Sequence, residues 1–340
     1  MTKQQSAAGS APVVRIVSNI QSLPERWTIN GISGESVYAD SPREFDRYGK
    51  APGTIFIVNC AARLLLQIAL RRFVRFTKRP PLVALDFVVL LPPRTFRARA
   101  GATLRRLALR NVDLFLNYFT DAQFLEKYYG IQPARCGFVD FKANLWKYRV
   151  GTPQPDGEYV LCFGRSLRDF DTFFTALERS GLPGAILEPR LDMLREHGSR
   201  FSRSLTSLPK NLQVLKDDGS EQSQVDALRD AKIVAIPMVK GRVIAAGIST
   251  IVNAMALGKA VIASNGPGVS DIFTNELVGV PIEDPDALAR SMKLLWNDQA
   301  LRERTATAGW KYAMRCGSES DFNTRVIEEV VGWAKSRSKR

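Results

Sequence analysis

Short apolar runs alternate with longer stretches of helical period along most of this chain. Thr54–Val58 and Leu82–Leu91 are apolar at almost every position, as strands covered on both faces are, and Val13–Ile20 reads as an earlier strand. Between them, Ala61–Thr77 places Arg63, Gln67, Arg71 and Arg75 at every fourth position, the polar stripe of an amphipathic helix. Its remaining face is Leu64, Leu65, Ile68, Leu70, Phe73, Val74 and Phe76, and Pro80-Pro81 ends it. The segment from Ile20 to Lys50 is turn-rich and defines no element. After a basic stretch, Arg94–Arg110, a strand at Asp113–Phe119, a helix at Thr120–Tyr129 and a strand at Cys136–Phe141 complete a first half.

Gly151–Gly157 (GTPQPDG) holds two prolines and two glycines without periodicity and reads as a linker. The alternation then restarts with strand Tyr159–Phe163, helix Asp169–Ser180, strands Ala185–Leu187 and Leu212–Leu215, and helix Glu221–Ala231. Strand Ile233–Pro237 leads into the stretch that organises this half, Ile244–Ser264 (IAAGISTIVNAMALGKAVIAS). There a loop with Gly247 turns into a helix begun by Ser249 and Thr250. Gly258 suits the left-handed position past its end, and Ala260–Ala263 is the next strand. A helix begun this way offers free N–H groups and the positive end of its dipole to a phosphate or carboxylate. A core helix merely capped by Ser249 or Thr250 has the same sequence pattern. Leu277–Ile282 is a further strand, Asp284-Pro285 is an N-cap and first-turn proline for a helix to Trp296, and the last helical stretch spans Asp321–Ala334. The alternation predicts an α/β fold of doubly wound parallel sheets, in domains 1–150 and 151–317 with a helical segment 318–340.

Composition narrows the class. With 340 residues, 45% hydrophobic and 24% charged, the chain is globular and long enough for two domains. No apolar run approaches the length of a membrane span, and MTKQQSAAGSAP lacks the apolar core of a signal peptide. Four scattered cysteines and a single histidine, His197, argue against structural zinc and disulfides, so a cytoplasmic protein is expected. The net charge of +14 is uneven: Arg63 to Arg110 holds twelve Lys/Arg against one acid, Asp86. That points to an anionic partner, whether nucleic acid, phospholipid headgroups or a phosphorylated substrate.

Two loops converge on phosphate chemistry. One is the helix start at Gly247–Thr250; the other is Gly164-Arg165-Ser166-Leu167-Arg168-Asp169, directly after the first strand of the second half. Both leave the carboxyl ends of strands, where open parallel sheets bind ligands. Two guanidiniums and a helix N-terminus suit a diphosphate; solvated surface arginines are the alternative.

Over residues 158–310 the order and spacing of YVLCFGRSLRDFDTFFTAL, NLQVLKDDGSEQSQVDALRDAKIVAIPM, AAGISTIVNAMALGKAVIASNGPGVSDIF and LVGVPIEDPDALARSMKLLWNDQALRER resemble the nucleotide-sugar-binding domain of GT-B glycosyltransferases. These pair a family 4-like first domain with a glycosyl transferases group 1 second domain. The resemblance implies two Rossmann-like domains facing a cleft, the first taking the acceptor and the last helix crossing back to it. Carried over by position, Arg165 and Arg168 would bind the donor diphosphate, and Gly247, Ile248, Ser249 and Thr250 would present N–H groups to it. Asn253 would meet the ribose, and Asp271 takes the place of a common acid after a glycine-rich turn. The two glutamates of the retaining branch are replaced by Ala245 and Asn253, and the histidine expected near an early strand end by Asn59 and Cys60.

An inverting reaction needs a general base. Asp86, in or at the end of a buried strand, is either that base or half of a structural ion pair; Asp140 is the next candidate, and His197 reads as a surface residue. The resulting expectation is a cytoplasmic, peripheral glycosyltransferase, a hexosyltransferase by class, on the inner membrane face. It would move a sugar from a nucleotide sugar to a lipid-linked or anionic glycan acceptor in polysaccharide or glycolipid assembly. No cofactor and no metal are expected, because arginines and a helix dipole can balance the leaving charge. Three rivals remain: an epimerase-like enzyme of the same fold, a non-catalytic sugar-nucleotide binder, and a nucleic-acid binder. The last is disfavoured because Arg94–Arg110 contains a single aromatic, Phe96.

Overall fold

The computed structural model describes residues 14–75, 80–87, 103, 105–240 and 245–338. Residues 88–91 of the expected long strand, Arg94, Phe96, Arg97, Arg99 and Ile244 lie outside the described residues. The chain divides by its internal contacts into two units. The first takes Met1–Asn117, Gln123–Gly137 and Asn323–Arg340; the second takes Tyr118–Ala122 and Phe138–Phe322.

In the first unit the strands are β1 (Val14–Ser18), β2 (Arg26–Ile29), β3 (Ile32–Tyr38), β4 (Thr54–Asn59), β5 (Leu82–Leu85), β6 (Leu114–Asn117) and β7 (Cys136–Phe138). Their order is β2-β3-β1-β4-β5-β6-β7. Parallel pairing joins β3, β1, β4, β5 and β6, and β5 and β6 are buried throughout, which is why their sequences do not alternate. Its helices include α1 (Pro42–Tyr48), α2 (Ala62–Arg75) and α3 (Gln123–Tyr129). The turn-rich stretch after β1 proves to be an antiparallel hairpin, β2–β3, followed by α1. Asn30 and Gly31 take φ of 50° and 73° at its tip, the pair a two-residue hairpin turn demands, and Ser41 with Glu44 forms a capping box on α1.

Two expectations change in this unit. The strand predicted to run to Leu91 ends at Leu85, because Asp86 turns the chain with φ 48°. Helix α2 buries Leu65, Ile68, Ala69 and also Arg72, while Leu70 on its other side is 45% exposed. Arg72 pairs with Asp113 at 2.6 Å, and Arg337 of the C-terminal helix Glu319–Ser338 takes the other carboxylate oxygen at 2.5 Å. Part of the basic excess is therefore an internal fastening.

The second unit is a sheet of β8 (Tyr159–Cys162), β9 (Gly184–Leu187), β10 (Leu212–Leu215), β11 (Ala231–Ile236), β12 (Ala260–Ser264) and β13 (Val278–Val280). The order is β10-β9-β8-β11-β12-β13, with every pairing parallel. The chain winds outward from β8 to β10, then returns to β11 and winds the other way. Its topological switch point thus lies between the carboxyl ends of β8 and β11. The helices are α4 (Phe170–Ser180), α5 (Leu191–Glu196), α6 (Glu221–Arg229), α7 (Ile248–Ala256), α8 (Pro285–Asn297) and α9 (Gln299–Cys316). Phe173, Phe174 and Leu177 of α4 and Leu288 and Met292 of α8 share one core with Val160, Ile233 and Ile262 of the sheet.

Asp284 caps α8 through the Ala287 N–H with Pro285 behind it, and Gly258 takes φ 71°, both as the sequence predicts. The proline-rich stretch read as a linker is instead strapped to this unit. Lys259 Nζ donates to the carbonyls of Gln154, Asp156 and Arg229, and Arg302 Nε to that of Pro155. Prolines leave carbonyls free of local partners, and these two buried cations collect them.

Candidate functional site

At the switch point of the second unit, the loop after β8 is built around one side chain. Gly164 takes φ 108°, and a Cβ there would collide with the Arg168 guanidinium. Leu167, buried and left-handed at φ 63°, is held by hydrogen bonds with His197 O and the Val239 N–H. Ser199 Oγ accepts from the Arg168 N–H and donates to Arg165 O, closing the turn. These constraints drive Arg168 inward until it is 2% exposed.

Its guanidinium lies between the two strand ends. Nε donates to Phe163 O at 2.8 Å, Nη1 to Ser166 O at 3.4 Å and to Met238 Sδ, and Nη2 to Thr250 Oγ1 at 2.8 Å. Among the described residues no carboxylate pairs with it, and burial lowers it to about 10. The neighbouring acid, Asp169, is fully buried but committed elsewhere: it caps α4 through the Thr172 N–H and pairs with Arg200. Arg200 also reaches Glu283 at 2.9 Å. Arg165 sits exposed on the same turn.

Helix α7 begins beside Arg168. Gly247 caps it with φ 87°, and a Cβ there would stand 3.1 Å from Arg168 Nη1. The first-turn N–H groups of Ser249 and Thr250 belong to the set a helix cannot satisfy internally, while that of Ile248 meets the Ala245 carbonyl at 3.5 Å. A buried cation, a helix N-terminus and two glycines that keep the backbone open are the parts from which an anion-binding corner can be built.

The other carried-over residues have structural partners. Ser249 Oγ accepts from Asn144 Nδ2 at 2.7 Å, and Asn253, 6% exposed, accepts the Leu145 N–H on Oδ1 at 3.1 Å. Asp271 accepts the N–H groups of Thr120 (2.6 Å) and Asp121 (3.0 Å) on one oxygen and that of Gly268 (2.7 Å) on the other. It therefore clamps the glycine-rich turn to segment 118–122. Ala245 packs against Gly268, where a Cβ would strike it. Asp140 accepts from Tyr312 Oη at 2.8 Å, and His197 is exposed.

In the first unit the switch point lies between β1 and β4. Asn19 just beyond β1 and Asn59 at the end of β4 bond reciprocally there, Nδ2 to Asn59 O at 3.0 Å and the Asn59 N–H to Oδ1 at 2.7 Å. Asp86 follows β5, and burial raises its carboxyl above the ordinary range, partly offset by a hydrogen bond from Cys60. Among the described residues no cation pairs with Asp86, so the ion-pair alternative has no partner there. The Oδ1 atoms of Asn59 and Asn117 are buried without a partner among the described residues. The sequence signal for this polar edge was the replacement of an expected histidine by Asn59 and Cys60; nothing in the sequence signalled Asn19 or Arg200.

Two doubly wound parallel sheets, with a buried arginine and a helix start at the switch point of the second, define the class by architecture: the GT-B fold. Residues 205–312 match the family Glycosyl transferases group 1, a stretch that includes Gly247–Asn253 and Asp271 but neither Arg165 nor Arg168. Among solved structures the chain is similar to Anabaena HepE in complex with UDP and glucose, at 13% identity and TM-score 0.63, over 88% of this chain and 86% of that one. It is similar also to sucrose-phosphate synthase from Thermosynechococcus elongatus, at 13% identity and TM-score 0.61, over 95% and 89%. A glycosyltransferase from Rickettsia africae gives 13% identity and TM-score 0.59, over 87% and 84%. At these identities the likeness establishes the fold. No curated protein matches the chain.

Proposed function

We propose that the chain transfers a sugar from a nucleotide diphosphate donor to an acceptor hydroxyl, with the donor diphosphate in the corner made by Arg168 and the start of α7. The observation that carries this is the buried Arg168 without a carboxylate among the described residues. A buried charge is stable when paired, and the ligand supplies the missing charge. Arg165, exposed on the same turn, adds a second guanidinium. Both cations and the helix N-terminus stabilise the diphosphate most as it leaves with its charge. HepE, of the same fold, is known in complex with UDP-glucose, which makes a uridine donor the first to test.

The places of the retaining-branch glutamates hold a methyl group packed on a glycine and an amide engaged by Leu145. That favours inversion, with the base drawn from elsewhere. Asp86 fills this role: partial burial makes it a stronger base than an ordinary carboxylate. The acceptor is lipid-linked or anionic and met at the inner membrane face, in polysaccharide or glycolipid assembly. In support, exposed Leu107 and Phe124 accompany Arg105, Arg106 and Arg110 in the first unit.

Calorimetric titration with UDP tests the donor site. Arg168→Met is expected to match or exceed the ligand-free thermal stability of the wild type, because it removes an unpaired buried cation. The same variant should bind UDP more weakly by roughly 1.5–3 kcal/mol. Equal affinity in Arg168→Met and wild type removes Arg168 from the site.

A further inference from the structure

The carboxyl edge of the first sheet joins two side chains from adjacent strands. β4 and β5 are neighbours with Asn59 opposite Leu85, so Cys60 and Asp86 leave the sheet side by side. Both turn with positive φ, 52° and 48°. Aspartate tolerates that region; cysteine seldom occupies it. Each is pinned by its own N–H, Cys60 to Leu85 O at 3.1 Å and Asp86 to Leu116 O at 2.9 Å. The reciprocal bonds between Asn19 and Asn59 fix the residue before Cys60. The result is a hydrogen bond from Cys60 Sγ to Asp86 Oδ2 of 3.1 Å. Among the described residues Oδ1 has no hydrogen-bond partner, and Cys60 is the titratable group that faces the carboxylate.

We propose that Cys60 is a positioning residue for Asp86, its S–H fixing Oδ2 so that Oδ1 takes the proton of the acceptor hydroxyl. This rests on the reading of Asp86 as the base. In the step, the hydroxyl proton passes to Oδ1 and the hydroxyl oxygen bonds to the anomeric carbon. The anomeric bond to the diphosphate breaks, and its electron pair stays on the diphosphate. A thiol suits the task because desolvation of its sulfur and the adjacent carboxylate push its ionisation well above the ordinary range, although the residue itself is exposed. It is also a weak donor, so it orients the carboxylate while taking little of its basicity. Strained residues at neighbouring strand ends are typical of sites where orientation matters more than stability.

Three variants test this. Cys60→Ser keeps a donor, Cys60→Gly removes it while relieving the positive φ and so protecting the fold, and Asp86→Asn removes the acceptor charge. Alkylation of Cys60 by iodoacetamide, followed by peptide mass spectrometry across pH, reports the pair without any substrate. In Asp86→Asn the rate curve should move to lower pH by about a unit, since no carboxylate opposes the thiolate; an unmoved curve overturns the pair. The pH at which each protein falls below its own Asp86→Asn counterpart in stability reports the Asp86 titration. Cys60→Gly should raise that pH by roughly half a unit to one unit, and Cys60→Ser should leave it in place. No rise in Cys60→Gly overturns the proposal. Release of UDP from UDP-glucose then separates the two readings. Loss of release in Asp86→Asn with unchanged release in Cys60→Gly overturns the positioning role and leaves the base standing. Full release in Asp86→Asn overturns the base, and the positioning role with it.

Discussion

At Asp86 burial opposes the charge that a base must carry, and the consequence is measurable as stability. Its carboxyl titrates above the ordinary range, first because it is desolvated, with the Cys60 hydrogen bond acting in the opposite sense. A group whose folded pKa is raised favours the folded state fully below its unfolded pKa, about 4, and loses that contribution as pH rises through the folded value. Asp86→Asn, neutral at every pH, should therefore melt higher than wild type at neutral pH, with the advantage shrinking as pH falls toward 4. Melting curves of the two proteins at matched pH check this; a difference that stays constant with pH counts against a strained carboxylate. Arg168 and Asp169 make the complementary point. They are adjacent and both buried, yet the acid takes Arg200 and the arginine has no carboxylate among the described residues. No local pattern distinguishes those fates.

At the scale of an element, α7 links the fold to the chemistry. Its residues are buried on nearly every side, so its position is set by packing between sheet and α9 and not by its own propensity. In the proposed function, that fixed position makes its N-terminus a preformed anion site. Gly247 is the sensitive point, since it supplies φ 87° and leaves room for the Arg168 guanidinium. Gly247→Ala should cost about 1–2 kcal/mol in urea denaturation, from the left-handed backbone alone. It should also weaken UDP binding in calorimetry, because the added Cβ presses on Arg168. A variant with wild-type UDP affinity would show that ligand does not approach this turn.

For the whole molecule, the charge asymmetry carries the prediction. Some of the basic excess is internal, as the pairing of Asp113 with both Arg72 and Arg337 shows. What remains exposed at Arg106 and Arg110, with Arg105 half-buried, lies beside exposed Leu107. Each such cation contributes on the order of 1 kcal/mol at an anionic surface, and salt screens it. Co-sedimentation should show binding to phosphatidylserine-containing but not to purely phosphatidylcholine vesicles. Replacing Arg105, Arg106 and Arg110 by Ser should weaken that binding. Equal sedimentation with both vesicle types, or none with either, contradicts membrane docking. No helix among the described residues is long and apolar enough to cross a membrane.

Local patterns determined the central strands, the caps at Asp284 and Gly258, and the helix start at Gly247, because each depends on residues within one turn or one strand. The hairpin at Asn30-Gly31 went unread in the sequence, although the left-handed preference of that dipeptide is local. Tertiary structure alone decided which charges are neutralised. Arg72 finds Asp113, Asp169 finds Arg200, and Lys259 and Arg302 gather the carbonyls of a stretch whose composition reads as a linker. The pairing of Cys60 with Asp86 is of the same kind: the residues are far apart in sequence, and the parallel register of β4 with β5 brings them together. Burial and charge pairing depend on neighbours across the sheet, and those are fixed only when the strands have found their order.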